Sequence, residues 1–228
     1  MSGAPSLAHA APPTTPVGPP RESPLYGAPY RRGLGVEVAV GVALCQPSLA
    51  VVGSACGRRG GGPAMPGVGL RLGLGWRFDA HWQVSAAWAR QGHRPGGSFA
   101  SGQADAVLVA GRGIVPLRAR GGGDSHVDLG FELGLGWSQR RLLRDAAPTE
   151  LWSTGVAARP ALILEGWVLA DLAIGLELAS QLDFHWRYCV DQRCETAPGP
   201  WMTGGLERRW VDGFTIAVRA TGLLFPRL

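Results

Sequence analysis

The sequence predicts an all-β protein, a closed barrel of eight antiparallel strands in up-and-down order. Three observations predict it. Apolar residues alternate with other residues over runs of about eleven positions, the period of a strand with two different faces. The second face of those runs is Gly and Ala with isolated charges. Short and long connections alternate along the chain.

The first run, residues 34–44, sets Leu34, Val36, Val38, Val40, Val42 and Leu44 against Gly35, Glu37, Ala39, Gly41 and Ala43. Residues 67–78 set Val68, Leu70, Leu72, Leu74, Trp76 and Phe78 against Gly67, Gly69, Arg71, Gly73, Gly75 and Arg77. Residues 126–138 repeat the pattern, as do 171–185 within a strand near 168–186, and further strands fall near 82–91, 103–118, 151–164 and 201–225. The last of these carries Val211-Asp212-Gly213. A turn there would add a strand, so ten strands is the alternative. One long strand with a break at Asp212-Gly213 can pair with 168–186, which gives eight. Short turns are expected at Asp79-Ala80, across residues 120–124 and at Glu165-Gly166. Long loops are expected over 45–66, 92–101, 139–150 and 187–200.

The chemistry of the faces says what surrounds the barrel. A soluble sandwich buries its apolar face and turns Thr, Lys, Glu and Ser to water. Here the second face is too small for that, and small side chains suit the inside of a narrow cylinder. The aliphatic face must then point outward, toward lipid, where only a closed barrel satisfies every backbone hydrogen bond. About 9–11 tilted residues cross the hydrocarbon, which matches the runs. A soluble lipocalin-like carrier is the competing reading, and it requires the reverse arrangement, with large apolar side chains inside. No stretch of about 18 apolar residues exists to form a spanning helix. The best candidate, Leu34 to Ala55, is broken by Glu37, Gln46 and Pro47.

Strand parity places Glu37, Arg71, Arg77, Asp128, Glu132, Arg159, Glu165, Asp171, Glu177, Asp183 and Arg219 in the lumen. An unpaired charge there would be costly, so a network of ion pairs that plugs the bore is expected. A small passive pore is the alternative. Trp76, Phe78 and Trp82 flank the first short turn, and Trp137, Trp152 and Trp186 flank long loops. An indole buries its ring while keeping its N–H in the headgroup layer, so these six form an expected aromatic girdle.

Residues 1–33 are a Pro-rich tail, with Pro at 5, 12, 13, 16, 19, 20, 24 and 29, and cannot bury a core. Ala8-His9-Ala10 has the small-x-small form of a signal-peptidase site. Residues 1–10 are therefore read as the end of an export signal whose start lies upstream. The barrel occupies 34–225, and 226–228 form the C-terminal end. All 22 basic residues are Arg, and the net charge is +5. They are scattered rather than clustered, which argues against a nucleic-acid footprint.

Four cysteines, Cys45, Cys56, Cys189 and Cys194, fall in loops on one side. An even count in an exported chain implies disulfides. Sequence allows three pairings, and Cys45–Cys56 with Cys189–Cys194 is favoured because each pair shares a loop. The five histidines are dispersed, which argues against zinc. Ser180, Asp183 and His185 are the nearest approach to a hydrolytic triad. Ser180 has outward parity and the other two point inward, which denies mutual reach. Ser125-His126 lies at the opposite end. Gly67-x-Gly69 and Gly73-x-Gly75 have no following helix, so no nucleotide fingerprint is read. Arg140, Arg141 and Arg144 are expected in a solvated loop, and contact with lipopolysaccharide phosphates is the alternative.

Strands such as 68–78 and 127–137 resemble the small outer-membrane β-barrel proteins, the OmpA-type transmembrane domain and its relatives. The resemblance covers roughly residues 34–225 and is specific for architecture. Members usually end in an aromatic-terminated strand that the assembly machinery reads. Arg219 to Phe225 looks similar, and Pro226-Arg227-Leu228 follow it. The resemblance implies a Gram-negative outer membrane, with lipid, lipopolysaccharide and the assembly machinery as partners. A monomer without cofactor, metal or catalytic residues is expected, in a structural or surface-interaction role. Some relatives are lipid-modifying enzymes, and that is the remaining alternative.

Overall fold

A computed structural model describes residues 32–45, 66–93, 99–117, 127–144, 150–169, 171–191, 193–196 and 210–224. Residues 1–31 of the predicted tail, Cys56, Ser125-His126 and Phe225 lie outside these residues, while Gly33, assigned to the tail, already opens the first strand. So does the predicted turn across 120–124.

The described strands are β1 (Gly33–Cys45), β2 (Gly67–Arg77), β3 (Trp82–His93), β4 (Phe99–Leu117), β5 (Val127–Arg144), β6 (Glu150–Trp167), β7 (Leu172–Val190), β8 (Arg193–Glu195) and β9 (Trp210–Leu223). Each barrel strand pairs antiparallel with its neighbours, and β9 closes the ring by pairing with both β7 and β1. Eight strands therefore make the cylinder. The short β8 hangs from the top of β7 as a hairpin, outside the ring. Asp191 takes a positive φ in its two-residue turn.

The chain runs through Asp212-Gly213 without a break, since both residues stay in register with β7 opposite Leu182 and Gln181. That removes the ten-strand alternative. Glu165-Gly166 is not a turn either. Both residues lie in β6, where Glu165 pairs with Asp128 and Gly175. The turn comes later, where the N–H groups of Val168 and Leu169 both donate to the Leu172 carbonyl. Asp171, expected in the lumen, sits at this turn and is exposed.

Strands β4 to β7 have 18 or 19 residues, against 11 to 13 for β1, β2 and β3. Residues 92–93, 99–101, 139–144 and 150, expected in loops, are therefore strand, and the described wall of β4–β7 stands taller at the loop end. Two irregularities mark the β6–β7 seam. Trp186 is an extra residue opposite Thr154 and Gly155, a bulge that reverses the parity of β7 beyond it. Pro160 has no N–H, and the ladder skips it between the Ala158–Leu182 and Ala161–Ala179 pairs.

Tight curvature is set by inward glycines. A Cβ at Gly41 would run into the Ile216 carbonyl of β9, and one at Gly136 into the Val107 carbonyl of β4. Neighbouring strands fold toward the axis at such points, so only a residue without a side chain fits. By contrast a Cβ at Gly111, on the outer face, would meet nothing within 4 Å.

Candidate functional site

The large aliphatic side chains face outward: Leu72, Leu133 and Ile174 are 43%, 51% and 47% exposed. Glu37, Glu132 and Glu177 are buried at 0%, 5% and 0%. The interior is polar and the exterior apolar. This is the reverse of what a lipocalin-like carrier needs.

Six arginines and six carboxylates are buried among the described residues: Arg71, Arg77, Arg112, Arg140, Arg159 and Arg219 with Glu37, Asp128, Glu132, Glu165, Glu177 and Asp183. The formal charges cancel. At the middle of the barrel Glu37 holds three arginines. Its Oε2 accepts from Arg71 at 2.6 Å, and its Oε1 lies 2.6 Å from Arg112 and 2.5 Å from Arg219. Gln83 donates to the same oxygen at 2.6 Å. Glu132 takes Arg71 and Arg112, each at 2.8 Å. Glu165 takes Arg219 at 2.9 Å and Arg112 at 3.4 Å. Glu177 bridges Arg219 and Arg159. Each carboxylate is shared, so desolvation is offset several times over and a single pair could not do the same.

Arg112, like Arg140, is a member that the sequence reading missed, and it touches Glu37, Glu132 and Glu165. Toward the turn end Arg77 pairs with Asp128 at 3.1 Å and stacks 5.6 Å from the buried Trp167 ring. The Trp167 indole N–H donates to Asp128 at 2.8 Å. Toward the loop end Arg140 is buried inside β5 rather than in a loop. There His185 lies between two hydroxyls, Ser138 at 3.0 Å and Ser153 at 2.7 Å, and Gln181 donates to Asp183 at 3.1 Å. Above them Leu142, Leu151 and Tyr188 pack as an apolar cap. Ser180 is half-buried and does not join His185, whose two ring nitrogens are taken by serines on β5 and β6. A cavity of about 10 Å³ lies beside Arg71, Arg159 and Glu177, the room of a single water.

On the outer face Trp76, Phe78 and Trp82 lie at the turn end, all exposed. Asp79 ties that turn by accepting from the N–H groups of His81 at 2.6 Å and Trp82 at 2.9 Å. The His81 N–H holds its carboxyl below the ordinary aspartate range. At the other end Trp88, Val107, Trp137, Val156 and Phe184 follow one another across β3 to β7. Trp137 meets Trp186 edge to face at 5.4 Å. Arg90, Asp105, Gln139, Thr154 and Arg187 form the adjoining polar row. Between that boundary and the turn end the β5 outer face is apolar from Val127 to Trp137, eleven residues. Trp152 stands higher, opposite Arg141 and Cys189. Cys189 and Cys194 form a disulfide across the β7–β8 hairpin. The Cys45–Cys56 pairing lies outside the described residues.

The barrel is similar to the crystal structure of Neisserial surface protein A. The TM-score is 0.52 at 10% sequence identity, over 84% of this chain and 97% of that one. The likeness is one of fold, an antiparallel β-barrel. No protein-family model matches the chain, and no curated protein matches it in sequence.

Proposed function

We propose that this chain is an integral outer-membrane β-barrel of a Gram-negative bacterium, with its long loops outside and its bore closed. Its role is structural or surface-interacting, and it carries no catalytic centre. The observation behind this reading is the eleven-residue apolar band on β5, Val127–Trp137, bounded at both ends of the barrel by aromatic residues, on a cylinder filled with paired ions. That height matches the hydrocarbon thickness a tilted strand crosses. Long connections belong outside, so the loop end faces the medium and the short turns face the periplasm. The partners are then lipid, lipopolysaccharide and the assembly machinery, and the protein is a monomer because a closed ring offers no strand edge.

Fractionation tests the placement. The chain should extract with the outer membrane and migrate differently on gels before and after boiling. Recovery in the soluble fraction overturns the reading. Planar bilayers test the closed bore: no steady conductance is expected, and reproducible unitary steps would make the small-pore alternative correct.

A further inference from the structure

The outer face of the β5–β6–β7 wall carries a cationic cluster immediately above the aromatic row. The register stacks three levels there. Trp137, Val156 and Phe184 form the lowest, Gln139, Thr154 and Arg187 the next, and Arg141, Trp152 and Cys189 the highest. The Arg187 guanidinium stacks 5.7 Å from the Trp152 ring centre. Arg141 is the register partner of Trp152 on β5, and its Nη2 donates to Gln139 at 3.3 Å. Its Nε lies 3.6 Å from Glu150, a loose pair with both side chains nearly half exposed. Among the described residues Arg187 has no carboxylate partner. Arg141 on β5 and Arg187 on β7 thus lie on the strands either side of Trp152, roughly 7–13 Å along the strands beyond the last apolar level.

We infer that Arg141, Trp152 and Arg187 form a binding site for the phosphates of lipid A, the diphosphorylated glycolipid of the outer leaflet. The site rests on the membrane placement proposed above. Guanidinium forks match phosphate oxygens in pairs, and stacking on Trp152 fixes one fork before any ligand arrives. The phosphates of a lipid lie just beyond the aromatic layer, at the level where these arginines stand. Below them Leu135, Trp137, Val156 and Leu182 are exposed and give the acyl chains an apolar track. The site belongs to one wall. On β1 and β2 the described outer face is apolar toward the loop end, with Val42, Leu44 and Val68. On β3, Arg90 is already paired with Asp105 at 2.7 Å.

The test is native mass spectrometry of the full chain folded in detergent, titrated with diphosphorylated lipid A and, separately, with phosphatidylglycerol. The double variant Arg141→Gln/Arg187→Gln should lose lipid A affinity roughly tenfold or more, as expected for two charge-assisted contacts. Arg90→Gln should bind as the parent does. Phosphatidylglycerol should bind weakly and equally to all three. Arg187→Lys, which keeps the charge, should fall between parent and double variant, and serves if the double variant does not fold. Lipid A affinity within about twofold of the parent in the double variant, or in Arg187→Lys where the double variant does not fold, overturns the inference, as does phosphatidylglycerol binding as tight as lipid A. Heat-modifiable mobility is measured on the same samples. A barrel that reaches the outer membrane but binds lipid A regardless of Arg141 and Arg187 sinks this inference alone. A chain that never reaches the membrane sinks the earlier reading.

Discussion

Arg219 Nη2 stands 2.5 Å from Glu37 Oε1, with both side chains fully buried. Glu37 also serves Arg71 and Arg112, so one carboxylate gathers guanidiniums from β2, β4 and β9. Glu37→Gln removes the shared charge while keeping the volume. It should destabilise the barrel by about 3–5 kcal/mol, the cost of leaving buried charges uncompensated. Urea unfolding in lipid vesicles checks it. A variant as stable as the parent would mean the bore is wetter than the ion pairs imply.

The inward glycines give a second expectation. Gly41→Ala places a methyl group against the Ile216 carbonyl, whereas Gly111→Ala points a methyl into open surroundings. The first should cut the folded, heat-modifiable fraction sharply. The second should change stability by no more than about 0.5 kcal/mol. Equal yields would show that the β1–β9 seam tolerates a side chain at its corner.

Trp167 tests the turn-end cluster. Its indole N–H is bonded to Asp128, which also takes Arg77. Trp167→Phe keeps most of the ring and removes the donor, leaving a buried carboxylate with one fewer partner. A loss of about 1–3 kcal/mol is expected in the same unfolding assay.

Asp79 gives a pH dependence. Its carboxylate is bonded by the His81 N–H and then the Trp82 N–H, which lowers its pKa in the folded state. A depressed pKa means the contribution is present at neutral pH and is lost as pH falls through the folded value. Amide exchange at His81 and Trp82 should therefore stay slow, after correction for intrinsic rates, until pH drops below the ordinary aspartate range. Asp79→Ala should speed both at every pH. Exchange that quickens near the ordinary value would contradict the bonded turn.

The strand count and the direction of each face were legible because lipid demands an unusual pattern: every outward residue from Val127 to Trp137 is large and apolar. Beyond Trp137 the pattern fades. Gln139 and Arg141 face out, while Ser138 and Arg140 face in, so hydropathy no longer separates the faces although the strand continues to Arg144. That is why β5 reads short and Arg140 reads as a loop residue. Counting parity onward from Glu132 would have turned Arg140 inward. Arg112 was hidden differently. Val107, Leu108 and Val109 are apolar in succession, and Leu108 is buried against Ala89, Ala106 and Ala157. No alternation survives there to say which way Arg112 points. Glu165-Gly166 looks like a turn by residue type alone, and only the need of Arg112 and Arg219 for a carboxylate at that level explains why the strand continues.

The cancellation of the six buried arginines against six carboxylates has an electrical meaning. Among the described residues neither sign is in surplus, so the buried side chains give the bore no net formal charge that would gather cations or anions from the medium. A rearrangement that parted these side chains would open a path whose selectivity came from width rather than from valence.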